Sequence, residues 1–353
     1  GSLVVNPPRP LMTIDELNAL PPPSRDILQE ALASSGNNGV WGHFLRDPTA
    51  LISASRGCPH RCTFCSVAAF YKQSPGRAWR TRSVESIMRE VNQIYELLGV
   101  KRFWFVDDSF LVSTSRAKEL ANAFANQDKN FRFGFAARAD DIIKHKELFP
   151  ELKRAGCEAV EIGLESGSQS VLDRYQKGTT VAQNLEAIDI VRRSKIRIIP
   201  DIILFDPWTT IEELRANVEF FRQSGLWGWV QTDILSYTLC ACPGTLIFTR
   251  ILEEGRATVV DPAGLEWECM NSNVRKVHKV ITQFLKKYSG QIDTLLGILG
   301  DVQRLLADAR SAAGLGNKEL ERLWIEFAIE SAAMPRVPYA LFADLVQEPQ
   351  AAE

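Results

Sequence analysis

The sequence predicts an α/β protein: a partial (β/α)6 TIM-like barrel with an N-terminal Pro-rich arm and a C-terminal helical region. Three features lead there. Short apolar runs of strand length recur between residues 50 and 238, with segments of helical period between them. Strands that alternate with helices imply βαβ units and a parallel sheet. Proline and turn formers crowd the stretch before residue 49, and beyond residue 250 leucine and isoleucine fall at helical spacing.

Taken in order, residues 1–48 contain "NPPRP" and "LPPPSRD" and read as a linker or wrapping arm with one short helical stretch near 24–34. The barrel is expected over 49–250. Its strands read as "ALISAS" (50–55), "RFWFV" (102–106), "FRFGFA" (131–136), "AVEIGL" (159–164), "IRIIPDIIL" (196–204) and "WVQTDILSYT" (229–238). Helical-period segments lie near 82–98, 115–127, 141–155, 168–193 and 209–224. Right-handed crossovers would curl six such units toward a partial barrel. The same alternation suits an open doubly wound sheet, and the pattern leaves both standing. Residues 251–345 form the helical region, with helices read across 274–333, and the tail 346–353 reads as disordered. No repeat of 20–50 residues is visible apart from the βα alternation itself.

With 353 residues, 24% charged and 45% hydrophobic, the chain has the composition of a soluble globular protein with room for a sizeable core. A net charge of −2 argues for neither nucleic acid nor an anionic membrane surface. No apolar run approaches the roughly 20 residues that a membrane helix needs. No secretory signal is visible, but the chain opens on Gly-Ser without Met, which reads as a start other than the native one. The seven cysteines are an odd count with three falling inside eight residues. That favours a metal-binding cluster in a reducing cytoplasm over a disulfide scaffold.

Those three are Cys58, Cys62 and Cys65 in "RGCPHRCTFCS", a CxxxCxxC spacing. Thiolates bind soft metals, so the loop asks for zinc or an iron–sulfur cluster. A structural zinc site wants four closed ligands, commonly as two separated pairs; here no second pair follows, and His60 is too close to serve as a distant arm. A four-iron cluster held by three cysteines instead leaves one iron open to a cofactor or substrate.

The spacing, with Phe64 just before the last cysteine and the loop directly after the first strand, resembles the signature of the radical S-adenosylmethionine (SAM) enzymes. The resemblance runs from about 50 to 250. It is nearest to the branch containing the cobalamin-dependent enzymes, through "FVDDSF" (105–110), "RADD" (138–141), "GLESGSQSVLDRYQKGTT" (163–180), "DPWTTIEELRANVEFF" (206–221) and "CPGT" (242–245). It implies that Cys58, Cys62 and Cys65 ligate three irons of a 4Fe-4S cluster and that the fourth iron chelates SAM. Reductive cleavage of the sulfonium would then give a 5′-deoxyadenosyl radical that abstracts a substrate hydrogen, with an electron donor such as flavodoxin or ferredoxin as partner.

The resemblance also distributes candidate SAM-binding residues over strand ends, where parallel barrels place their chemistry. Asp107 and Asp108 end the second strand, where the family's motif accepts from the SAM ammonium; the alternative is a helix N-cap cluster. Arg138 ends the third strand and either pairs with a carboxylate or bridges to Asp140. Glu165 and Ser166 end the fourth and are candidates for the ribose or the methionine head. Lys177 stands where related enzymes turn a basic residue toward the SAM carboxylate; the alternative is an exposed lysine before a turn. Asp206 falls where family members commonly carry Gly-x-Pro, a departure that puts the usual close backbone approach in doubt, and is a candidate to reach SAM or substrate.

Cys240 and Cys242 lie two apart at the end of the sixth strand, and on a continuing strand both would point the same way. They are candidate hydrogen-atom donors, as in radical epimerases, or spectators. Cys157 and Cys269 read as structural. The leading functional expectation is therefore hydrogen abstraction from an unactivated carbon of a natural-product or peptide substrate, ending in epimerisation, dehydrogenation or rearrangement. The alternative is a cobalamin-dependent radical C-methyltransferase. Residues 7–35 resemble the connector that follows the cobalamin domain in that branch, yet about 48 residues before the first strand are too few for such a domain. A third reading, from a different class, is a zinc-stabilised binding module without redox chemistry.

Overall fold

Alternation of large apolar residues with small or polar ones builds the central sheet. The structure is a computed structural model that describes residues 6–26, 30, 48–226, 232–261, 264–288, 290–291 and 336–349. In chain order its first strands are β1 (Thr49–Ile52), β2 (Ser55–Arg56), β3 (Arg80–Thr81), β4 (Arg102–Phe105), β5 (Arg132–Arg138), β6 (Cys157–Glu165) and β7 (Arg197–Ile202). Five of them form one sheet in the order β1-β4-β5-β6-β7, and β1/β4, β4/β5 and β5/β6 pair in parallel. The order never reverses along the chain. A doubly wound sheet needs a reversal at its switch point, so the barrel-type winding is the one adopted, with the sheet left unclosed.

Packing divides the chain into two compact units. The first takes Gly1–Leu164, Tyr175–Pro200 and Cys242–Thr249; the second takes Glu165–Arg174, Asp201–Ala241 and Arg250–Glu353. In the first, Phe103 and Phe105 of β4 and Phe133 and Phe135 of β5 are buried on one sheet face with Phe110, Phe124 and Phe131. Ring centroids lie 4.3 Å apart for Phe110–Phe135 and 4.8 Å for Phe124–Phe133. Each such side chain contributes roughly 1.5–3 kcal/mol by leaving water. On the opposite face Trp104 lies over Gly134, where an added Cβ would come within 2.3 Å of the indole. That strand position needs glycine for contact, not for φ.

Helices flank the sheet at α1 (Ile14–Ala19), α2 (Ser66–Lys72), α3 (Val84–Leu98), α4 (Thr114–Ala125), α5 (Ala139–Lys144), α6 (Phe149–Arg154), α7 (Gln169–Arg174), α8 (Val181–Arg193) and α9 (Ile211–Ser224). The segment expected as one helix over 141–155 is broken into α5, a 3-10 turn at Lys146–Leu148 and α6, with Pro150 at the start of α6. The 168–193 segment is likewise two helices, parted by Gly178 at φ 72 and restarted by the Thr180 capping box. Helix α1 was not expected; its own capping box, Thr13 with Glu16, explains it.

The sixth strand is corrected as well. Thr232–Ser236 form a 3-10 turn, and among the described residues of the run only Thr238 bridges in parallel, to Phe205. Residues 229–231 of that run lie outside the described residues, as does most of the helix expected near 24–34. Of the helices expected over 274–333, one runs through 272–288 and 292–335 lie outside the described residues. Residues 350–353 of the tail lie outside them too, whereas Arg336–Gln347 is helical.

Candidate active site

The cysteine loop leaves the end of β1 and is clamped at its root. β2 and β3 pair antiparallel, Ser55 with Thr81 and Arg56 with Arg80. Between β2 and Cys58 stands Gly57 at φ 86, where an added Cβ would lie 1.8 Å from the Ala78 carbonyl oxygen. Two carboxylates from the end of β4 hold this root from below. Asp107 accepts from the Ala54 N–H at 2.9 Å and from the Ser55 hydroxyl, and Asp108 accepts from the Gly57 N–H at 2.9 Å. Burial raises the Asp107 carboxyl above its ordinary value against the opposing pull of Arg116, and burial raises Asp108 likewise. Both acids therefore support the loop from within the first unit. They are not among the residues that line the cavity beside it.

That cavity has a volume of about 590 Å³ and is lined by Cys58, Cys62 and Cys65 together with His60, Lys72 and Thr245. The three thiols form no disulfide. Burial pushes the Cys58 thiol up to about 11, so without a metal it keeps its proton. Among the described residues no group of three or more His, Cys, Asp or Glu converges as a single ion would require. Three thiols that line one roomy cavity fit the donor set of an iron–sulfur cluster. Behind the loop, Phe64 packs on Tyr175 at 4.9 Å between centroids, and the Thr63 N–H donates to the Tyr175 carbonyl at 2.9 Å.

Arg138 reaches this loop from the end of β5. Its Nη1 donates to Cys62 Sγ at 3.3 Å, and its Nη2 donates to the Lys177 carbonyl at 2.5 Å and to Asp140. His60, between two of the cysteines, lies 3.6 Å from Asp141. The first unit thus gathers Cys58, Cys62, Cys65, Arg138 and the backbone of Lys177. The Lys177 residue is buried, not an exposed lysine before a turn.

In the second unit a separate polar network involves Glu165, Ser166 and Asp206. Glu165 is only 4% exposed and sits at φ 60, a strained conformation for a long side chain. Its carbonyl accepts from the Ile203 N–H at 2.8 Å. Asn217 on α9 accepts from the Ser166 hydroxyl at 3.2 Å and the Gly167 N–H at 2.7 Å, which ties the strand end to the helix. The Asp206 carboxylate accepts from Arg174 at 2.5 Å, from the Trp208 N–H at 2.9 Å and from the Thr209 hydroxyl at 3.1 Å. Arg174 also binds Glu213. Asp206 is thereby engaged as a buried anchor of its loop, in place of the Gly-x-Pro turn. Arg174 and Asn217 were missed as sequence candidates, since nothing local marks a helix arginine or asparagine as the partner of a distant strand end.

Cys240 and Cys242 fall in different units, and the strand that would have aligned them is not formed. Cys240 is exposed and Cys242 half-buried. Cys157 is buried at the start of β6, and Cys269 is buried with its thiol pushed up to about 12, chiefly by burial and then by Asp206. Among the described residues no helix is long and apolar enough to cross a membrane.

Residues 52–221 match the family model of the Radical SAM superfamily. An "uncharacterized methyltransferase" of Pyrococcus horikoshii is 26% identical over 249 residues, covering 70% of this chain and 49% of its own length. The hopanoid C-3 methylase of Methylococcus capsulatus is 30% identical over 177 residues, covering 50% of this chain and 32% of its own. Of solved structures, the cobalamin-dependent S-adenosylmethionine radical enzyme OxsB, with aqua-cobalamin and S-adenosylmethionine bound, superposes with a TM-score of 0.68 at 17% identity. That likeness covers 91% of this chain and 49% of OxsB, and it is a likeness of fold. The chain spans half or less of the length of each of these proteins.

Proposed function

The chain carries a radical SAM domain over residues 52–221, and from that premise we propose that it serves a cobalamin-dependent radical SAM C-methyltransferase acting on an unactivated carbon of a small-molecule or peptide substrate. The observation that carries the radical chemistry is that three cysteines without a disulfide line one cavity. What favours methyl transfer over epimerisation, dehydrogenation or rearrangement is that the relatives described above are named as methylating enzymes. Membership in an enzyme superfamily also displaces the zinc-stabilised binding module.

When bound, a 4Fe-4S cluster with SAM on its open iron supplies one-electron cleavage of the sulfonium. The rest is the work of this chain's residues. Cys58, Cys62 and Cys65 give up their protons as the metal binds, so loading is favoured as pH rises toward the thiol range. Asp108 and the β2/β3 clamp hold Gly57, and with it the first ligand, at a fixed point. Glu165 and Ser166 are proposed to meet the ribose or the methionine head, and the buried Lys177 to meet the SAM carboxylate. Cobalamin is the proposed methyl carrier.

The reductant is proposed to be an acidic protein of the flavodoxin or ferredoxin kind. From 49 to 84 the chain has no Asp or Glu and six Lys or Arg. Of these, Arg56, Arg61, Lys72 and Arg77 are exposed around the cysteine loop, and Phe70 among them is 64% exposed. An apolar spot rimmed by cations suits an acidic partner and would steer it electrostatically.

The test is anaerobic turnover. The protein is reconstituted with iron and sulfide and given SAM and dithionite, with and without hydroxocobalamin, and adenosyl products are followed by mass spectrometry. 5′-Deoxyadenosine that vanishes in Cys62→Ala supports the radical site, and S-adenosylhomocysteine that needs cobalamin supports methyl transfer. The first product without the second returns the reading to hydrogen abstraction alone, and neither product overturns both.

A further inference from the structure

Arg138 is tied down on three sides. Its Nε donates to Asp140 Oδ1 and its Nη2 to Asp140 Oδ2, each at 2.9 Å, while Nη2 also donates to the Lys177 carbonyl at 2.5 Å. The remaining Nη1 lies 3.3 Å from Cys62 Sγ. A guanidinium has five N–H donors in one plane, so this arrangement commits most of them and leaves no open fork for a cofactor carboxylate. The plane is set by a carboxylate and a backbone oxygen, and it aims an N–H at the sulfur of the middle cysteine.

We propose that Arg138 is a positioning residue that sets the reduction potential of the centre held by Cys58, Cys62 and Cys65, through its hydrogen bond to Cys62, and that Asp140 attenuates it. The inference rests on the radical SAM reading. The physical ground is that one-electron reduction adds one negative charge, shared by the ligating sulfurs, with the electron coming from an external reductant. A cationic donor to a ligating sulfur favours the reduced state, and hydrogen bonds to sulfurs are among the levers on such potentials. The chemistry here requires a strong reductant, so an unopposed cation at the thiolate would work against it. Asp140 supplies the opposition: its carboxylate faces the same guanidinium, so the pair offers a directed N–H with little net charge. Arg138 is 7% exposed, which limits how far solvent screens the local field.

The experiment is an anaerobic potentiometric titration of the reconstituted wild type, Arg138→Gln and Asp140→Asn, with iron content measured on each. Arg138→Gln is expected to make the cluster at least tenfold harder to reduce, a shift of 59 mV or more to lower potential for one electron. Asp140→Asn leaves the arginine cation unopposed and is expected to shift the potential upward. Opposite signs are the mark of the proposal, because a general loosening of the loop would move both variants the same way or neither. Equal potentials at full iron content, or shifts of one sign, overturn it. Should Arg138→Gln hold no iron, Asp140→Asn decides alone: an upward shift supports the proposal, and no shift or a downward one overturns it. A wild type that binds no iron instead removes the radical SAM premise, so the two failures are distinguishable.

Discussion

Replacing Gly57 by alanine puts the largest local demand on the cysteine loop. The new Cβ would stand 1.8 Å from the Ala78 carbonyl oxygen, where real Cβ atoms keep at least 3.0 Å, and its obstacle is backbone. The β2/β3 pair must therefore separate by about an ångström, at an overpacking cost of roughly 1–3 kcal/mol. A φ of 86 adds about 1–2 kcal/mol for any L side chain. Together about 2–5 kcal/mol falls on a clamp of two residue pairs and one N–H bond to Asp108. Domains commonly have about 5–15 kcal/mol in hand, so the fold is expected to survive while the loop is displaced. At 1.4 kcal/mol per tenfold, cluster affinity should fall by about 30-fold or more. The assay is iron and sulfide per chain after anaerobic reconstitution, with absorbance near roughly 400 nm. Gly99→Ala is the control: Gly99 has φ 69, but nothing lies within 4 Å of its added Cβ. It should lose about 1 kcal/mol of stability and no iron. If Gly57→Ala loads as much iron as wild type, the clamp does not position the ligands and the reasoning fails.

Three further outcomes follow from the same geometry. The variant Arg77→Glu, at an exposed cation outside the cavity lining, should slow reduction by an acidic flavodoxin several-fold at low salt, converge with wild type as salt rises, and leave reduction by dithionite unchanged; stopped-flow absorbance checks it, and equal rates at low salt count against the docking surface. Arg174→Ala leaves the nearly inaccessible Asp206 and Glu213 carboxylates facing one another without their cation. It should cost about 3–5 kcal/mol, read as a lower urea midpoint by the fluorescence of the tryptophans. Because burial raises the Asp107 carboxyl, the folded state binds that proton more readily than the unfolded chain. Its contribution to stability therefore falls as pH rises from the ordinary carboxylate value, about 4, through the raised one. Asp107→Asn should remove that slope from a plot of Tm against pH, and an identical slope would contradict the assignment.

How much of this was legible in the sequence depends on the range of the signal. Strand cores such as "RFWF" and "FRFGFAAR" alternate over a few residues, and the side chains that alternate are the ones buried. The turns that split 168–193 carry equally local signals, Gly178 and then Thr180 with Gln183 three residues on, yet the segment reads as one. The sixth strand misled because Ile234 and Leu235 are adjacent and both buried, and adjacent apolar residues carry no period by which to tell a strand from a tight helical turn. The cysteine cluster was legible because three thiols within eight residues need no fold to bring them together. Its supports were not: Asp108 reaches Gly57 across 51 positions and Arg138 reaches Cys62 across 76; in the second unit Asn217 likewise reaches Gly167 across 50.

That division also explains what Asp107 and Asp108 meet in the fold. Read along the chain, Asp107 and Asp108 are two charges at the mouth of a parallel sheet, where a cofactor ammonium would be welcome. Folded, the segment after β1 passes over them and its own N–H groups and hydroxyl reach them first. The buried Asp107 carboxylate already accepts two hydrogen bonds and gains little from a further donor, whereas the exposed Asp108 accepts one, from the Gly57 N–H, at the root of the cysteine loop. The same reasoning separates Arg138 from a carboxylate reader: its donors point at Asp140, a carbonyl and a ligating sulfur. Asp107, Asp108 and Arg138 thus reach the cysteine loop, and their substitution is expected to alter how that loop is held before it alters how SAM is bound.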